Sequence, residues 1–391
     1  MLPSIMRSAG LALCLCALSL PLAVAQYSAE AAQTRALQDA NTTPSNLKKQ
    51  QTLPVSQTLA SLPSSSENIS GSNELPGAAA PITAQASKYH LLESAAAGYG
   101  TYHYDVSDIH ARGLNSAKDV SDALDRLAGR NPEQLSRGWV AYAALVAAQS
   151  PELQASVQDV VQYYGREIIS KGLIKDRNYV RRDLKGAETA LIRAQIAISA
   201  DTRRLEQTAR FFRRQAYALQ ISRWARARIR GKTMTLVVDK LIAAATTPRD
   251  IHQPIFEAFI APDIDQNLQA AGQAENASFW DTVLGIDTDI LMPNFPIAIA
   301  ESLPEGIQKN TERAANQIAT LAAFHIMGIG ADNIDYASAA LGDGPLRACT
   351  AMAQLNINQC AHSNSSPFET VDCIGKHAIQ ETTACFDQIV D

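Results

Sequence analysis

Two histidines and two aspartates crowd one short stretch, His103-Tyr104-Asp105 and then Asp108-Ile109-His110. Imidazole nitrogens and carboxylate oxygens are ligands for a divalent metal, and a His–Asp pair can also act as general base and acid. In an extended segment residues 103 and 105 share a side, whereas in a helix 103 and 110 do. No regular conformation aims all four at one point, so His103, Asp105, Asp108 and His110 form a candidate metal set only if a specific turn closes it. The plainer reading is a polar, tyrosine-rich loop leading into the folded part. Asp287 and Asp289 form a second pair, of the kind glycoside hydrolysis uses. The following Met292-Pro293-Asn294-Phe295-Pro296 marks irregular structure, where such aspartates commonly satisfy backbone N–H groups instead. Nucleophile elbows, zinc-protease helices, phosphate loops and dinucleotide glycine patterns do not occur. No catalytic residue is assigned and no cofactor is expected.

The cysteines carry a different chemistry. Cys14 and Cys16 lie in an apolar run near the start, and the other four are Cys349, Cys360, Cys373 and Cys385. An even number in an exported chain points to disulfides. The stretches 347–359 and 371–386 read as helices, and Asn364-Ser365-Ser366-Pro367 between them is turn chemistry. Antiparallel packing then pairs Cys360 with Cys373 and Cys349 with Cys385, one bridge nested inside the other. A four-thiolate zinc site would want ligand pairs two to four residues apart, which these are not.

The elements that must hold these groups begin with an export signal. Residues 1–25 combine Arg7, an apolar run over 11–22 and Ala23-Val24-Ala25, the order of a cleaved secretory peptide. The run is shorter than the roughly 20 residues a spanning helix needs, so the chain is expected to be non-transmembrane once cleaved. Residues 26–88 are rich in Ser, Thr, Gln and Pro, a composition that cannot offset chain entropy by burial and predicts a disordered linker. From 89 onward the texture is helical. Asn131-Pro132, Ser150-Pro151 and Thr247-Pro248 read as capped helix starts. Residues 314–331 read as a buried core helix, with His325 a core histidine. Val180, Leu184, Ala187, Leu191, Ala194 and Ile198, then Leu205, Ala209, Phe212, Ala216 and Leu219, step by three and four. This is the stripe of one long helix, or of two in near register broken at Asp201-Thr202. It packs either in a bundle core or as a coiled-coil seam in a homo-oligomer.

Charge is segregated. Residues 171–232 hold 17 Lys and Arg against 5 Asp and Glu, and the rest of the chain holds 17 against 34. Arg213, Arg214, Arg223, Trp224, Arg226 and Arg230 mark the densest part. They form a candidate binding surface for an acidic protein partner or an anionic envelope polymer. The charge balance favours the other reading, that the chain's own acidic helices, around Asp263, Asp265, Asp281, Asp287 and Asp289, cover them. Export and an acidic total argue against nucleic acid.

The fold class expected is all-α, a multi-helix bundle-like domain over 89–345 with one long amphipathic helix, followed by a disulfide-stapled helical hairpin over 346–391. The function expected is that of an exported, non-enzymatic structural or binding protein of a bacterial envelope, periplasmic or extracellular. The alternative is a metal-dependent or hydrolytic enzyme acting on an envelope polymer.

Overall fold

The computed structural model describes residues 90–228, 231–273, 279–284, 311–330, 333–364 and 366–387, with the backbone alone at 231–234, 236 and 281–282. The expected signal and linker segments, Arg230, Asp287 and Asp289 lie outside these residues. The described residues fall within one compact unit. Every regular element among them is helical, as the sequence predicts.

In chain order the helices are α1 (Leu91–Arg112), α2 (Ala117–Ala128), α3 (Pro132–Ala148), α4 (Pro151–Tyr164), α5 (Arg166–Lys175), α6 (Tyr179–Asp183), α7 (Ala187–Leu219) and α8 (Gly231–Ala245). There follow α9 (Gln253–Phe259), α10 (Ile264–Ala271), α11 (Phe279–Leu284), α12 (Thr311–Met327), α13 (Ile334–Ala340) and α14 (Gly344–Ser363). The last helix runs without a break through α15 (Pro367–Cys373), a π-helical stretch (Ile374–Glu381) and α16 (Thr382–Phe386). None of the described helices is long and apolar enough to cross a membrane.

The core is built around α3. Asn131 caps it, its side chain accepting from the Gln134 N–H at 2.8 Å, and Pro132 opens it. From Trp139 to Ala148 each residue is buried, so the helix is apolar all round and must sit inside other helices. It does, between α1, α7, α12 and α14. Helix α12 is buried from Ala314 to Phe324, but His325 in its last turn is partly exposed, with Nδ1 3.9 Å from a Glu93 carboxylate oxygen.

Two expected boundaries move. The long stripe is broken at Gly186, which has φ +80°, and not at Asp201-Thr202, where α7 runs straight through. A Cβ on Gly186 would lie 2.5 Å from the Leu153 nitrogen, so both the backbone angle and the approach of α4 require glycine. The Thr247-Pro248 start opens no helix; α9 begins at Gln253. Arg249 is used instead as a link, its N–H donating to Gln134 Oε1 (2.9 Å) and its guanidinium to the carbonyls of Asp125 and Arg126. The apolar stripe of α7 is buried inside this chain, against α3 and the π-helical stretch.

The C-terminal hairpin is stapled as the spacing predicts, Cys349 to Cys385 and Cys360 to Cys373. Ser366 and Glu369 form a reciprocal capping box that starts α15.

Candidate functional site

The four residues of the expected metal set occupy a helix, not a loop, and α1 sends them different ways. His103 is fully buried, stacked on Trp280 with ring centroids 4.7 Å apart and edge-on to Tyr99. Its Nε2 lies 3.9 Å from Asp201 Oδ2. That carboxylate accepts from Trp280 Nε1 (2.7 Å) and Tyr99 Oη (3.4 Å). Burial, then the charges of Arg204 and Arg130, hold the His103 imidazole well below its ordinary pKa. Asp105 and Asp108 turn toward α2, where Arg126 bridges them and Arg130 closes on Asp105. His110 packs on Phe211, ring centroids 4.2 Å apart, and burial with Arg204 nearby lowers it to about 4. At about 100° per residue, the histidines face α7 and the aspartates face α2. No group of three His, Cys, Asp or Glu side chains fit to hold a metal occurs among the described residues. The convergence this metal set required is therefore not present.

The basic set fares differently. The end of α7 and the start of the last helix enclose a groove of about 830 Å³. Arg210, Arg213, Arg214, Tyr217 and Gln220 form one wall; Cys360, Asn364, Phe368, Glu369 and Asp372 form the other. The walls meet closely because residue 375 is glycine: a Cβ there would stand 2.8 Å from Arg213 Cγ and 3.0 Å from the Ala209 carbonyl oxygen. The Asn364 amide donates to both sulfurs of the Cys360–Cys373 bridge. The acids are already engaged. Glu369 accepts from the Ser366 N–H (3.0 Å) and hydroxyl (2.7 Å), while Asp372 stands 3.5 Å from Arg213 Nε.

Beyond Leu219 the chain leaves helix α7 and coils through turns, so Arg223 and Arg226 do not continue a face of that helix. Phe368 N–H donates to the Ala225 carbonyl (3.2 Å), tying this turn to the hairpin. Ala225 is buried and Trp224 half-buried, while Arg223, Arg226 and Arg228 are exposed.

No known family model, curated protein or solved structure matches the chain.

What the groove and turn can do must therefore be read from their own chemistry. Arg223, Arg226 and Arg228 make no ion pair among the described residues. Asp265, one of the acids expected to cover them, instead accepts from Gln149 Nε2 at 3.0 Å. Sequence reasoning missed Tyr217 and Ile221, 76% and 86% exposed, because the stripe pattern marks buried positions and is silent about apolar residues left outside. It also missed Phe368 and Asp372, which reach the arginines only through the hairpin's fold.

Proposed function

We propose that this chain is an exported, non-enzymatic helical binding protein that presents the basic end of α7 and the turn after it to an anionic partner, either an acidic protein or an envelope polymer. One observation carries the reading: Arg223, Arg226 and Arg228 stand exposed on one short turn with no counter-ion among the described residues. A turn that keeps its guanidinium groups free, fixed to a disulfide-stapled hairpin, is a preorganised site for carboxylate, sulfate or phosphate groups. The two disulfides support action outside the reducing cytoplasm. The test is salt-gradient elution from immobilised heparin, a generic polyanion. The wild-type chain is expected to be retained and the Arg223→Glu/Arg226→Glu/Arg228→Glu variant to elute at much lower salt; coincident elution of the two would refute the proposal.

A further inference from the structure

Resting on that reading, the composition of the same turn specifies its partner further. Tyr217 and Ile221 are 76% and 86% exposed. They immediately precede the arginine turn where α7 ends, and the half-buried Trp224 lies within that turn. Ile221, the more exposed of the two, projects into solvent. A soluble polyanion gains nothing from an isoleucine held out among cations. A second copy of this chain would bring two arginine turns together and be repelled. An interface between water and anionic lipid suits every member of the set. Arginines reach phosphates, an aromatic ring with a polar tip sits at the headgroup level, and an aliphatic side chain enters the acyl boundary.

We infer that the turn after α7 is a peripheral membrane-contact site for anionic phospholipid, with Ile221 and Tyr217 inserted and Arg223, Arg226 and Arg228 on the headgroups. The chain supplies its own reporter. Of its three tryptophans, Trp139 and Trp280 are fully buried, and Trp224 alone has a surface to change.

The experiment is flotation of the exported chain with phosphatidylcholine vesicles, with and without a quarter phosphatidylglycerol, alongside the heparin measurement. Wild type is expected to float with anionic vesicles only, its tryptophan emission moving to shorter wavelength. Ile221→Ser is expected to lose ~10-fold of the vesicle partition, the scale of one aliphatic burial, and to keep its heparin retention. The position is exposed, so an unchanged thermal midpoint should confirm that the variant folds. Wild type that ignores anionic vesicles, or an Ile221→Ser variant that partitions like wild type, would overturn the membrane site. The anionic-ligand reading would then stand if the triple arginine reversal still lowered heparin retention. A triple reversal that altered neither heparin nor vesicle binding would remove both.

Discussion

Asp105 and Asp108 lie one helical turn apart and both pair with Arg126, yet their burial sets very different roles. Asp105 also holds Arg130, which is 7% exposed. Asp105→Ala strands that buried guanidinium and is expected to cost about 3–5 kcal/mol. Asp108→Ala, at a more open pair, is expected to cost about 1 kcal/mol or less. Guanidinium unfolding of the two variants checks the contrast. The histidines predict a pH dependence. Both His103 and His110 are held neutral, their folded pKa below the unfolded value, so the unfolded chain takes up protons first. Stability should be full above about pH 6.5 and fall by about 1.4 kcal/mol per pH unit for each histidine as pH drops toward 4. Denaturant midpoints across that range test the sign, and His110→Gln should remove its own share of the slope. At this scale the sequence showed which residues were chemically unusual but not their use. The same His-Asp spacing serves a metal in a loop and a core in a helix, and only the local conformation decides.

Among the elements, the close approach at Gly375 and the break at Gly186 are positions where one methyl group matters. Gly186→Ala meets both a left-handed backbone and the α4 backbone, and is expected to destabilise by about 2 kcal/mol or more, seen as a lower thermal midpoint. The two bridges close loops of unequal length, with sequence separations of 36 and 13. In the chain-entropy account their removal costs about 4 and about 3 kcal/mol respectively; paired serine replacements, unfolded in denaturant, would show whether the outer bridge contributes more. The Asn131-Pro132 start and the disulfide pairing were legible because caps and cysteine spacing are local. The end of α7 was not, since its arginines have good helix propensity and the turn is imposed by the Phe368–Ala225 contact from far along the chain. Thr247-Pro248 misled for a related reason: Arg249 bonds to α2 and α3, and tertiary contact overrode a start signal.

For the molecule as a whole, segregation of charge was legible from counting, and its exposure was not. A net basic segment in an acidic chain is neutralised or displayed according to packing, which no composition reveals. The exported protein is expected to begin at Gln26 with all four remaining cysteines oxidised. Intact mass spectrometry without reductant checks both at once, and free thiols or a retained leader would contradict the proposed compartment. The nesting of the bridges has one more consequence. Cut the backbone anywhere between Cys360 and Cys373 and the pieces stay joined twice; cut it elsewhere between Cys349 and Cys385 and they stay joined once. Any single proteolytic nick between Cys349 and Cys385 therefore releases no fragment, and in an environment rich in proteases the molecule can be scarred there while remaining covalently whole.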